Sequence, residues 1–118
     1  MPRKFMQSLK YAGSGVKHAI ATQRNLRLHM LMALLVILAG ICLNLSNFEL
    51  IALILTICFV LISEMINTAI EETINLITTS HRVEARIAKD VAAGAVLFSS
   101  ICAIIVGCLI FVPHLMRR

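Results

Sequence analysis

Apolar residues run along this chain in two different rhythms. From Met1 to His29 they are periodic. Phe5, Leu9, Ala12, Val16 and Ile20 share one helical face, while Arg3, Lys10, Lys17 and Arg24 recur every seven residues on the opposite side. This pattern predicts an amphipathic helix over region 1–29, lying in the headgroup plane with its apolar side down. A secretory leader would be the plainer alternative, but a basic region of 29 residues is too long for one, and no small-residue cleavage site follows.

Beyond His29 the apolar residues become continuous. "MLMALLVILAGICL" from Met30 to Leu43, "LIALILTICFVLI" from Leu50 to Ile62 and the uninterrupted stretch from Val91 to Val112 each read as a membrane crossing. With their neighbours they approach the roughly 20 residues that a spanning helix needs. We expect helices over about 30–45, 48–71 and 89–112 to contain the three spans. "NLSNFE" (44–49) is a short polar turn, residues 72–90 form a polar and partly helical connection, and Pro113 closes the last span. The expected fold is an all-α membrane protein with an N-terminal surface helix and three transmembrane helices, residues 1–118 forming one domain.

Composition sharpens this picture. Of 118 residues, 59% are hydrophobic and only 14% charged, more apolar surface than a soluble domain of this size could bury. The formal charge of +5 raises nucleic acid as a partner, but there is no Lys/Arg run and aromatics are only 5%, so the anionic inner leaflet is the expected partner instead. Cys42, Cys58, Cys102 and Cys108 lie inside apolar runs without CxxC spacing and read as reduced packing residues. Six Lys or Arg precede the first span and three lie in the 72–90 connection, while the 44–49 turn has none. The positive-inside rule then places the N-terminus and the second connection in the cytoplasm and the C-terminus, with Arg117 and Arg118, outside. The expected location is therefore the cytoplasmic membrane.

Candidate chemistry lies in "SEMINTAIEETINL", residues 63–76, which holds three of the six acidic residues. On a continuing helix Glu64, Asn67, Thr68, Glu71 and Asn75 project to one side, from membrane depth towards water. A helix leaving the membrane accounts for Glu71, Glu72 and Asn75. It does not account for Glu64, which follows a long apolar run, because ionisable groups at such depth are costly and face partners. A carboxylate at the lipid boundary can take the proton of a lipid hydroxyl. A second one nearer the water can hold Mg²⁺ bridged to phosphates. Lys89 and Asp90, where the third span enters the same interface, suit phosphate and base contacts. The five glycines form neither GxxxxGK nor GxGxxG, there is no G-x-S-x-G or HExxH, and none of the scattered histidines is given a ligand role. In "AKDVAAGAV" the small residues allow close helix approach. Three crossings enclose a site poorly, so we expect oligomerisation, with the site between subunits.

"ExxNTAIE" at 64–71 followed by "AKDVAAGAV" at 88–96 resembles the small bacterial integral-membrane diacylglycerol kinase/undecaprenol kinase family. The likeness continues through "FMQSLKYAGSGVKHAI", "RNLRLH" and "VGCLIFVPHL", and so covers essentially the whole chain. It implies a homotrimer with shared active sites that transfers the γ-phosphate of Mg-ATP to a membrane lipid alcohol. It further implies Glu64 as proton acceptor and lipid contact, with Asn67 ordering the site and Glu71 at metal and nucleotide. Lys89, Asp90, Tyr11 and Lys4 would be ATP contacts. "RNLRLH", "AKDVAAGAV" and "IFVPHL" look closer to the undecaprenol kinase branch.

Three positions depart from the family pattern. Gln23 stands where an acid usually helps to bind metal and nucleotide, Asn75 where aspartate is common, and "SHRVEAR" where a "YHPLAK"-like segment is usual. An amide oxygen can still ligate Mg²⁺, without charge. The rival substrate is diacylglycerol. The rival of another class is a non-enzymatic trimeric scaffold whose polar stripe only specifies helix pairing.

Overall fold

The computed structural model describes residues 2–117. Met1 and Arg118, which the expected surface region and C-terminal charge include, lie outside the described residues, as do the side chains of Pro2 and Arg3. Four α-helices follow one another among the described residues: α1 (Pro2–Thr22), α2 (Arg24–Cys42), α3 (Asn47–Ile77) and α4 (Val83–Met116). The last three are long and apolar enough to cross a membrane. Short connections make α2, α3 and α4 antiparallel neighbours, with α3 central and packed most extensively on α4.

The first two helices, α1 and α2, meet at a corner. Gln23 adopts an extended backbone (φ −107°, ψ 107°) between two helices, so "RNLRLH" forms the first turns of α2 rather than the end of α1. A helix that stops abruptly leaves its last carbonyls without partners. Here Arg27 on α2 supplies them: its guanidinium donates to the carbonyls of Ile20 at 2.8 Å and Ala21 at 2.9 Å. A cation is also favoured at a helix C-terminus by the backbone dipole. Ala19 and Leu26, both buried, close the apolar side of the corner, whereas Phe5, Leu9 and Val16 on α1 stay exposed.

The polar turn between α2 and α3 is closed by two local devices. Asn44 takes the left-handed conformation (φ 57°), Leu45 N–H donates to the Gly40 carbonyl and Asn44 N–H to that of Ile41, each at 3.1 Å. This is a Schellman ending to α2, and asparagine tolerates the required φ better than most residues. Leu45 folds back over Gly40, where a Cβ would lie 2.8 Å from its Cδ1. Ser46 then caps α3. Its hydroxyl accepts from Glu49 N–H at 3.2 Å, and the Glu49 carboxylate accepts from Ser46 N–H at 3.0 Å. The Glu49 carboxylate also meets His114 Nε2 at 2.9 Å, tying the start of α3 to the end of α4. Buried Leu45, Leu53 and Ile110 form the apolar core beside this end.

At the other end α3 runs on to Ile77, leaving 78–82 as the connection to α4. The polar stripe therefore stays helical throughout. Over their most apolar windows the three long helices bury only 11–17% of their residues within the chain, so most apolar side chains face outward.

Replacing Arg27 by leucine should uncap α1 without disturbing the long helices. We expect a loss of about 1 kcal/mol, the usual worth of such hydrogen bonds. Hydrogen exchange in lipid nanodiscs should show faster exchange over residues 16–22 and unchanged protection in α3.

Candidate active site

The stripe on α3 divides between two neighbours. Glu64 is the deepest of its members, with 4% of its surface exposed, and Thr68 one turn on is equally buried at 6%. Thr68 Oγ1 donates to the Glu64 carbonyl at 3.0 Å, which satisfies the hydroxyl locally. The Glu64 carboxylate turns to α2, where Oε1 lies 3.2 Å from His29 Nε2. His29 is partly buried, with 26% of its side chain exposed.

Asn67 and Glu71, one turn apart, bond to each other. Asn67 Nδ2 donates to Glu71 Oε1 at 3.2 Å. This leaves Asn67 Oδ1 buried without a partner. It borders a groove of about 450 Å³ between α3 and α4, walled on the α4 side by Ala88, Ala92 and Ala95. The small residues singled out in the sequence thus leave space beside Asn67, and Ala92 itself is buried against α3. Buried acceptors seldom go without a donor, so Asn67 Oδ1 is chemically ready for a hydroxyl or N–H brought into that groove.

Further along α3 the stripe turns to α4. Lys89 Nζ donates to Asn75 Oδ1 at 2.8 Å, placing the lysine about one turn beyond Glu71 along α3. Asp90, next in sequence, is exposed. Gln23 is half-buried at the α1–α2 corner, whereas Lys4 and Tyr11 stand exposed on α1 and are not buried against this group. In a single chain Glu64, Asn67 and Glu71 thus lie along one side of α3, with Lys89 reaching that helix at Asn75, while Lys4 and Tyr11 stand exposed on α1.

Could a metal ion fit? Among the described residues no three His, Cys, Asp or Glu side chains gather to enclose one. The candidate donors are oxygens: Glu71 on α3, one of whose carboxylate oxygens is held by Asn67, and the Gln23 amide at the α1–α2 corner, which does not contact Glu71. Such a set suits Mg²⁺, which keeps waters and substrate phosphates and takes only one or two protein carboxylates.

Sequence reading left out the histidines. Each of three sits against a carboxylate of α3: His18 on Glu72 at 2.9 Å, His29 on Glu64, and His114 on Glu49. A signal existed for His29. It stands at the polar edge of the first span, as Glu64 does at the polar end of the second, and antiparallel packing brings those edges to the same depth.

Comparison with known proteins gives consistent findings. The profile of a family described as prokaryotic diacylglycerol kinase matches residues 10–111. A diacylglycerol kinase of Synechocystis sp. is 44% identical over 110 residues, 92% of this chain, and the chain spans 63% of that protein's length. An undecaprenol kinase of Bacillus subtilis is 39% identical over 112 residues, covering 95% of this chain and 91% of the relative. A diacylglycerol kinase of Escherichia coli is 25% identical over 111 residues, 94% of this chain and 91% of the relative.

Proposed function

The chain belongs to the prokaryotic diacylglycerol kinase family, a family of membrane lipid kinases, and we propose that it transfers the γ-phosphate of ATP to undecaprenol. The observation that carries the reading is the buried carboxylate of Glu64 at membrane depth, on the same helix side as Asn67 and Glu71, with Lys89 approaching from α4. A lipid hydroxyl held near the bilayer surface and a nucleotide in water can meet only at such a boundary.

The reaction needs little covalent help from the protein. The lipid oxygen bonds to the γ-phosphorus, the bond from that phosphorus to the β–γ bridging oxygen breaks, and ADP leaves. The hydroxyl proton passes to the Glu64 carboxylate. Asn67, with its unpaired Oδ1, orders the incoming polar groups. Lys89, moving from Asn75, neutralises phosphate charge, and Asp90, Tyr11 and Lys4 complete the nucleotide contacts. Glu71 and Gln23 would hold Mg²⁺, which when bound offsets charge on the phosphates. Because α1 carries Lys4 and Tyr11 exposed in the single chain, the arrangement is best completed by a neighbouring copy, in a homotrimer with the N-terminus on the cytoplasmic side. Undecaprenol is favoured by the nearly full-length match to the Bacillus subtilis undecaprenol kinase. Diacylglycerol is the second reading, favoured by the name of the Synechocystis relative.

The deciding experiment offers both alcohols to the reconstituted protein with labelled ATP and Mg²⁺. We expect phosphate on undecaprenol in preference to diacylglycerol, and a loss of at least about a hundredfold in Glu64→Gln, the usual worth of a general base. Transfer that survives Glu64→Gln would remove Glu64 from the chemistry. A folded oligomer that labels neither alcohol would favour the scaffold reading.

A second expectation concerns the position where an acid is usual. Gln23→Glu restores charge to a metal ligand and should lower the Mg²⁺ concentration giving half-maximal rate by several-fold, read from a Mg²⁺ titration at saturating lipid.

A further inference from the structure

A histidine in a membrane-spanning helix needs a reason. His29 lies at the head of an apolar groove of about 450 Å³ between α2, α3 and α4, which continues past Val36 and Leu53 to Phe111. Among the groove's lining residues it is the one imidazole. Polar groups at such depth persist when paired, and the partner of His29 is Glu64 at 3.2 Å. No other basic side chain among the described residues lies within ion-pair distance of that carboxylate. The approach is close but not an aligned hydrogen bond, as is common for catalytic pairs before substrate is bound.

We propose that His29 is the positioning residue for Glu64: Nε2–H holds one carboxylate oxygen, leaving the other free to accept the proton of the lipid hydroxyl. This rests on the reading of Glu64 as proton acceptor. A glutamate side chain has three rotatable bonds, and neither Thr68 nor Asn67 restrains its carboxylate. Thr68 binds the Glu64 backbone, and Asn67 binds Glu71. His29 is the constraint that remains. It also comes from a different helix, so the acceptor's orientation depends on how α2 docks on α3. In the transfer itself His29 gains and loses no bond. The proton moves from the alcohol to the free oxygen of Glu64, while the other oxygen keeps its donor.

The test compares His29→Gln, which retains an N–H donor at similar reach, with His29→Leu, which keeps the groove apolar but has none. Both are made in the full chain, reconstituted with undecaprenol and with diacylglycerol. For whichever alcohol the parent protein phosphorylates, we expect His29→Leu to lower kcat at least about tenfold, a fraction of what a general base supplies, with KM for ATP and lipid within about threefold. His29→Gln should recover most of kcat. Adding His29→Leu to Glu64→Gln should cause no further loss, because the positioned group is already gone.

Equal kcat in the leucine variant and the parent would overturn the proposal. So would a glutamine variant as impaired as leucine, or fully multiplicative losses in the double variant. Failure of the underlying reading looks different: Glu64→Gln alone would then leave kcat intact. Should His29→Leu not assemble, the glutamine variant and an imidazole ¹⁵N spectrum keep the question open to refutation. The Nε2 resonance of His29 should shift on Glu64→Gln, and an unmoved resonance would show that the pair does not interact.

Discussion

A bilayer gives polar side chains no water to fall back on, so each carboxylate carried into or beside it must find its partner in protein. In this chain the requirement falls on α3, which holds four of the six acidic residues. Three of those four pair with histidines, and each histidine comes from a different helix: His18 from α1, His29 from α2 and His114 from α4. Apolar packing between helices has little hydrophobic driving force inside lipid. The three pairs therefore supply direction that greasy contact does not, fixing which side of α3 each neighbour meets. The pairs are unequal. His18–Glu72 is about half exposed on both sides and contributes little to stability. His29–Glu64 is largely buried.

The same helix separates two jobs along its length. Its N-terminal end is occupied by structure: the Ser46–Glu49 capping box, the tie to His114 and the packing of Leu45, Leu53 and Ile110. Its C-terminal end carries the polar stripe. There Glu64 turns to α2 while Asn67 lines a groove whose far wall is built from three alanines and Val91. A larger residue at Ala88, Ala92 or Ala95 would fill the space that leaves Asn67 Oδ1 without a partner.

How much of this was legible beforehand depends on whether the signal was periodic or local. The three long helices follow from continuous apolar runs and the polar face of "SEMINTAIEETINL" from repeated spacing, and the structure contains three helices long and apolar enough to cross a membrane, with that stripe helical throughout. The corner at Gln23 was not readable, since neither Gly nor Pro marks it. A single extended residue and the reach of Arg27 create it. The extension of α3 to Ile77 was underestimated because polar residues there suggested a connection, although Thr, Ile, Asn and Leu continue a helix readily once it is nucleated. The histidine partners were missed because pairing across helices depends on relative depth, a quantity that no single segment carries. In the family resemblance Gln23 and Asn75 appeared as departures. Structurally Asn75 has a definite task, holding Lys89 through a neutral acceptor where an aspartate would hold it as an ion pair.

Because α3 continues without interruption from Asn47 to Ile77, the spacings along it are set by helix geometry. Eleven residues separate Glu64 from Asn75, about 16 Å along the axis at 1.5 Å per residue. On the reading that Glu64 takes the proton, that length is a depth gauge. An alcohol qualifies by how far below the surface its hydroxyl floats, since the carboxylate can neither rise to a shallower group nor sink to a deeper one. Selection by immersion leaves the tail largely unexamined, and it offers one physical reason why relatives of similar sequence carry the names of two such different lipids.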